Sequence, residues 1–389
     1  MNLTGTTHVQ TSNRPRVVLL GAFPVQNLPE SGVTGLGYHS TWLERVAASL
    51  SRVDFYDVHW ITFSKAASSK VSFQALNQTF HVFPRKWMSL QIVSKFVLER
   101  MRLKSLLKEL DPDIVHSWGT EDAYGLAAVD WAGTSFISMQ GILKVCCDTA
   151  PQHWLLKAQE RNERTVFKKG KFFTIESSWG MQKMREAGVT VPIKRVEYGV
   201  GEDCFAVERA PTAKPTCLFV GTLYELKGVD TLLKAFADPR LEGIDLVLLG
   251  SGRLRIPDDE CPPNIRFLGH LPQEEVRSWM SKAWSLVHPT LADTSPNCVK
   301  EARVIGLPVV TTPCGGQTQY VEHGASGWIH EPGDIEGLIE GVLKVTESQE
   351  RSLEMGEAGR EACRAELRPE KTVQAFDLIY KELMEEANK

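Results

Sequence analysis

The chain reads as an α/β protein built from two doubly wound halves. Three observations predict this: short apolar runs that end in glycine loops, helical 3- and 4-residue spacings between those runs, and a length of 389 residues, too great for one ordinary core. The first run, RVVLLGAFP (16–24), has the unbroken apolar character of a strand buried on both faces. Behind it GVTGLGYHSTWLERVAASL (32–50) is glycine-rich and then helical, with Trp42, Leu43, Val46, Ala47 and Leu50 on one stripe. DIVHSW (113–118) and SFISMQG (135–141) are further strands, with helical patterns between. A second round begins at TCLFVGTL (216–223). It continues through helical KGVDTLLKAFA, strands DLVLLG and NIRFLG, helical PQEEVRSWMSKA and strand SLVHP, then GLPVVTTPCGG, GWIHEPGD and terminal helices. YGVGEDCFAVERAPTAKPT (198–216) has the glycine, proline and mixed charge of a linker. The expected units are therefore 14–205 and 206–368. The default ligand site is the cleft between two such sheets, at the carboxyl ends of their strands.

The net charge is only −4, but residues 1–190 carry 22 Lys+Arg against 16 Asp+Glu, and residues 191–389 carry 22 against 32. A basic half and an acidic half suggest different partners. No apolar run approaches a membrane span of ~18–20 residues. The opening MNLTGTTHVQTSNRPR lacks the apolar core of a secretory signal, so a cytoplasmic location is expected. Eight cysteines lie scattered without a CxxC pair or zinc-ligand spacing and are expected to be reduced thiols. No nucleic-acid partner is expected.

The densest chemistry is DTSPNCVKE (293–301). Ser295 followed by Pro296 makes a good helix start, because serine caps free N–H groups and proline at the first position has none to lose. Asn297, Cys298 and Val299 then present first-turn N–H groups at the positive end of the helix dipole, an anion site. Glu301 lies one turn further along the face of Asn297, and Asp293 lies in the loop on the other side. Acid, anion site and acid in this order fit a ligand with hydroxyls at both ends and phosphates between them, the shape of a nucleotide sugar. GTLYELKG (221–228) places Lys227 in a strand-to-helix loop, where an ammonium reaches phosphate oxygens. CGGQ (314–317) adds a loop whose backbone can approach a ligand closely.

In order and spacing, FVGTLYELKG, LVLLGSG, NIRFLGHL, LVHPTLADTSPNCVKEARVIGLPVVTTPCGG and EHGASGWIHEPGD resemble the nucleotide-binding half of family-4 retaining glycosyltransferases (glycosyl transferases group 1) of the GT-B fold. The resemblance is specific over 216–345 and weaker through the first half. It implies a metal-independent retaining transferase that takes a hexose-type sugar from a nucleotide diphosphate sugar, without another cofactor, to a glycan, lipid-linked or small-molecule acceptor in surface polysaccharide or glycoconjugate synthesis. By analogy, Glu301 binds the ribose hydroxyls, Asp293 the transferred sugar, and the amides of Asn297, Cys298 and Val299 the diphosphate. It also implies that residues 369–389 form a helix crossing back to the first half. Three positions depart from the family pattern: Asp293 is the shorter acid, Thr222 stands where an arginine usually accompanies Lys227, and Gln140 stands where a histidine is common.

In the first half, Gly35 and Gly37 are the residues expected to approach the donor, since a glycine-rich loop in this place covers sugar and phosphate in the family. His116, near a strand's carboxyl end, faces the cleft if the register is right and is otherwise a structural histidine. With Gln140 it is the acceptor-side candidate. DPD (111–113) imitates a metal motif but is read as a turn, because Pro112 breaks the preceding helix. The segment 84–110 has seven Lys+Arg against two Glu, interleaved with apolar residues at helical spacing. It is either a helix receiving a membrane surface or an amphipathic helix with a solvated basic face. Two readings compete with a transferase: a sugar-nucleotide epimerase of the same fold, and a catalytically silent sugar-nucleotide-binding protein. Nicotinamide binding is disfavoured, because neither strand-to-helix turn shows GxGxxG followed by an acid ~20 residues on.

Overall fold

The computed structural model describes residues 14–35, 40–252 and 261–389. Its first half contains β1 (Arg16–Leu20), α1 (Thr41–Leu50), β2 (Asp57–Ser64), β3 (Val71–Ala75), β4 (Gln78–Pro84), α2 (Met88–Val93), α3 (Val97–Leu110) and β5 (Ile114–Trp118). There follow α4 (Ala123–Asp130), β6 (Ser135–Met139), α5 (Leu143–Thr149), α6 (Trp154–Lys169), β7 (Phe173–Ile175), α7 (Ser178–Glu186) and β8 (Ile193–Arg195). The second half runs β9 (Thr216–Val220), α8 (Val229–Phe236), β10 (Asp245–Leu249), β11 (Ile265–Gly269), α9 (Gln273–Lys282), β12 (Ser285–His288), α10 (Asn297–Ile305), β13 (Val309–Thr311) and β14 (Gly327–Ile329). Four helices complete it: α11 (Ile335–Val345), α12 (Gln349–Glu357), α13 (Arg360–Glu366) and α14 (Pro369–Ala387).

Both sheets are doubly wound, as expected. The second has the order β11-β10-β9-β12-β13-β14, all parallel, and reverses direction between β9 and β12. The first has the order β3-β4-β2-β1-β5-β6-β7-β8 and reverses between β1 and β5. At such a reversal the loops leaving two neighbouring strands turn to opposite faces and leave a crevice.

The region between α1 and β5 departs from the expected run of helices, because it contributes three strands. Here β3 and β4 form an antiparallel hairpin, with Leu76 and Asn77 in the left-handed region at its turn. The basic segment is also two helices rather than one, broken where Lys95 and Phe96 take positive φ. DPD is a turn: Asp111 ends α3, and the Asp113 carboxylate accepts the Arg16 N–H at 2.6 Å, tying the turn to the start of β1.

Each face of the first sheet has its own core. Val17, Leu19, Ile114 and Trp118 pack on the side of α1 and α14; Val18, Leu20 and Val115 pack on the side of α3, α4 and α6. The helix α14 starts at Pro369 and buries Val373, Phe376, Ile379, Tyr380 and Leu383 against the first sheet. Each such side chain contributes about 1.5–3 kcal/mol by leaving water. The chain thus passes between the halves twice, side by side: the Val200 N–H donates to Leu367 O at 2.9 Å and the Gly199 N–H to Thr372 Oγ1 at 2.9 Å. Among the described residues no helix is long and apolar enough to cross a membrane.

Candidate functional site

Three loops leave the carboxyl ends of β9, β12 and β13 and are fastened to one another. The β12 loop is central. Its Leu291 N–H donates to Leu226 O at 2.8 Å and Thr290 Oγ1 donates to the same oxygen at 3.0 Å, which fixes the Lys227 loop. On the other side the Asp293 N–H donates to Cys314 O at 3.0 Å, and the Gly316 N–H donates to Asp293 O at 3.0 Å. Two glycines make this approach feasible. Gly228 has φ +67, and a Cβ there would lie 1.9 Å from Pro289 O; a Cβ on Gly315 would lie 2.0 Å from Asp293 O.

Within this frame Lys227 and Asp293 are ion-paired, and both are mostly buried. Burial works against the ammonium of Lys227, but the Asp293 carboxylate more than offsets it and raises the lysine pKa. Burial likewise works against the Asp293 carboxylate, and Lys227 with His288 more than offsets it and lowers that pKa. His288 closes β12, with its Nε2 3.3 Å from Asp293 Oδ2 and its Nδ1 3.6 Å from Cys298 Sγ. A carboxylate only accepts, so Nε2 carries the proton in this contact and Nδ1 accepts from the thiol. Burial pushes the Cys298 thiol up to about 12 and lowers the His288 pKa, so both are neutral near pH 7. Sequence reasoning missed His288, although its place at a strand's carboxyl end is the criterion that singled out His116.

The helix α10 begins at Asn297 behind Pro296, with no side-chain cap. This corrects the expected role of Ser295, which is buried and lies outside the helix boundary. The Val299 N–H donates to Pro296 O at 3.1 Å, which withdraws it from the expected anion site. The N–H groups of Asn297 and Cys298 remain as first-turn donors without an intrahelical acceptor. Cys298 directs its side chain to His288. Glu301 pairs with Arg45 of α1 at 2.5 Å, so the second acid faces the first half of the chain. Its neighbour Lys300 also reaches across, to Glu176 at 2.6 Å and Tyr198 O at 3.0 Å.

A cavity of about 160 Å³ opens beside the ion pair, lined by Gln140, Cys146, Trp179, Tyr224, Lys227 and Asp293 among others. Gln140 lines it, with its Nε2 buried behind the cavity wall. An adjoining cavity of about 280 Å³ shares Val145, Trp179 and Ala292 with it and runs outward between α5 and α7. Gln140 therefore stands at the cleft beside Asp293.

His116 does not. It is fully buried among Trp118, Phe136 and Phe376, with Nδ1 2.8 Å from Tyr380 Oη and Nε2 2.7 Å from Ser138 Oγ. Strand parity is the cause: Ile114, His116 and Trp118 share one face of β5, which α14 covers. Burial lowers its pKa well below the usual value. Thr222 is exposed on the rim of the β9 loop. Gly35 has φ +120 and lies beside Ala66, and Gly37 lies outside the described residues. All eight cysteines are free thiols. Among the described residues no group of three or more His, Cys, Asp or Glu is placed to hold a metal ion.

Residues 202–362 match the family model described as glycosyl transferases group 1. The chain is 27% identical over 146 residues to the amylovoran biosynthesis glycosyltransferase AmsK of Erwinia amylovora, an alignment spanning 34% of this chain and 36% of that protein. The chain thus aligns with about a third of that relative's length. Among solved structures, sucrose-phosphate synthase from Thermosynechococcus elongatus superposes with a TM-score of 0.77 at 15% identity, over 95% of this chain and 99% of that one. Anabaena HepE in complex with UDP-glucose superposes with a TM-score of 0.67 at 14% identity, over 94% of this chain and 99% of the other. The two doubly wound sheets are those of the GT-B fold, and residues 202–362 are the part that is similar to glycosyl transferases group 1.

Proposed function

We propose that this chain is a retaining glycosyltransferase that takes a hexose-type sugar from a nucleotide diphosphate sugar to a glycan, lipid-linked or small-molecule acceptor. The observation that carries the reading is the convergence of Lys227, Asp293 and the α10 amino terminus on one cleft at the sheet's reversal point. Lys227 and the Asn297 and Cys298 amides receive the diphosphate, Glu301 the ribose hydroxyls and Asp293 the sugar. As the bond from the anomeric carbon to the diphosphate oxygen breaks, charge grows on that oxygen, where fixed donors are most effective. The acceptor oxygen bonds to the same carbon from the same face, and its proton passes to the departing phosphate oxygen. No metal is assigned a step. Gln140, which lines the cleft beside Asp293, takes a sugar or acceptor hydroxyl.

Thermal-shift titration with UDP, GDP, ADP and their sugars tests the donor site: one series is expected to stabilise the protein, and stabilisation by none sinks the reading. Incubation with the stabilising donor alone then separates a transferase from an epimerase. An epimerase would convert that donor to an isomeric sugar nucleotide, whereas the transferase leaves the donor unchanged until an acceptor is present and then transfers the sugar with its anomeric configuration kept.

A further inference from the structure

Among the described residues twelve large hydrophobic side chains are exposed, and six lie within one stretch: Trp87 (72% exposed), Leu90, Val93, Val97, Leu98 and Met101 (63%). The stretch is firmly rooted. Arg85 is buried, with its guanidinium forked onto Glu99 at 3.0 and 2.8 Å and bonded to Asp122 at 2.8 Å. Ile92, Phe96, Leu103, Leu106, Leu107 and Leu110 fill the core beneath. An amphipathic helix with a solvated outer face would be polar on the side opposite these residues. Here α2 and the first turns of α3 are apolar on both sides. An apolar concentration of this kind marks an interaction surface.

The charge around it selects the partner. With Arg85 and Glu99 neutralising each other inside, Lys86, Lys95, Arg102, Lys104 and Lys108 remain exposed, against Glu109 as the exposed acid of 84–110. Large apolar side chains among lysines and arginines, with a tryptophan at the tip, match the boundary of an anionic bilayer: the apolar groups enter the acyl edge and the ammonium groups meet head-group phosphates. Residues 84–110 hold five of the six excess positive charges of 1–190, so the attraction is concentrated on this face. We propose that the face formed by α2 and the start of α3 seats the protein on an anionic lipid surface, with Trp87, Leu90, Val93, Val97, Leu98 and Met101 inserted. The inference is independent of which sugar the cleft takes.

The test is flotation of the full chain with phosphatidylglycerol/phosphatidylethanolamine vesicles and, in parallel, with phosphatidylcholine vesicles. Binding is expected to the anionic vesicles at low salt, to weaken at high salt, and to be absent on phosphatidylcholine. Lys86→Glu with Lys95→Glu is expected to lose at least roughly fivefold per lysine. Leu90→Ser with Leu98→Ser is expected to abolish insertion while the nucleotide thermal shift stays that of the wild type, which also reports an intact fold. Three outcomes would overturn the proposal. One is no flotation on anionic vesicles at low salt, another is equal binding to both vesicle types, and the third is a concentration-dependent dimer, lost in Leu90→Ser with Leu98→Ser, without vesicle binding.

Discussion

His116 and His288 occupy comparable strands in the two halves, β5 and β12, each beside the strand at which its sheet reverses. Both are buried, and burial lowers the pKa of both. Their partners differ. His116 is the third of five strand residues and lies deep in its layer, bonded to Ser138 and to Tyr380 of the returning helix. His288 is the last residue of its strand, where the chain leaves the sheet, and its ring meets Asp293 and Cys298. Two residues of displacement along a strand separate a packing role from a place beside reactive groups, because only a strand's end borders the loops.

The comparison can be broken most forcefully at His116. His116→Ala removes a stacked ring and leaves Tyr380 Oη and Ser138 Oγ without their partner, so an unfolding free energy lower by about 3–5 kcal/mol is expected. Urea unfolding measures this. Turnover per folded molecule should be unchanged, and lost turnover with full stability would return His116 to the cleft. Next in size is Lys227→Ala, expected to lower kcat roughly 10²-fold, about 2.7 kcal/mol, in the molecules that remain folded, and to cost stability as well, because the buried Asp293 carboxylate loses its partner. Near-normal turnover would remove Lys227 from the reaction. A smaller effect is expected of His288→Phe, which keeps the ring volume and deletes the donor to Asp293. Steady-state kinetics should show roughly a tenfold fall in kcat/KM from a misplaced carboxylate, and a loss confined to stability would make His288 a second His116.

The most gradual effect, small per pH unit, contrasts the halves in pH. Lys227 and Asp293 shift away from neutrality, so their pair stays ionised through the middle of the pH range. Glu163, on α6 in the first half, is raised to about 7 by burial, although the amides of Leu143 and Lys144 and the Thr120 hydroxyl act to lower it. Its folded pKa lies above its unfolded value, so its contribution to stability is complete below about 4.5 and is lost as pH rises through about 7, by at most about 1.4 kcal/mol per pH unit. Thermal denaturation of Glu163→Gln between pH 5 and 8, a range of roughly three units, should show a flatter profile than the wild type. Parallel profiles would mean that Glu163 is ionised throughout.

How much of this could be read from the residues follows from locality. In DTSPNCVKE, Asp293, the α10 amino terminus and Glu301 lie within nine consecutive positions, so spacing alone brought these candidates together. The burial of Arg45 against Glu301 joins positions 256 apart and left no local pattern. DIVHSW is apolar towards both layers, so no alternation betrays which side His116 takes, and its orientation stayed undetermined until β5 was set against β1 and β6. The β3–β4 hairpin escaped because β3 is a half-exposed edge strand of mixed polar and apolar types, and β4, although mostly buried, carries Gln78, Thr79 and His81 among its apolar residues.

The paired crossings at 199–200 and 367–372 have a mechanical consequence. A single covalent strand between two bodies acts as a swivel, free to twist as well as bend. Two strands lying side by side and bonded to each other act as a door hinge: bending about the line through them is soft and torsion across them is stiff. Twisting one half against the other is thereby costlier than bending. A bend of that kind keeps the carboxyl ends of the two sheets in register, with Gln140 and Asp293 on the walls of the same cavity.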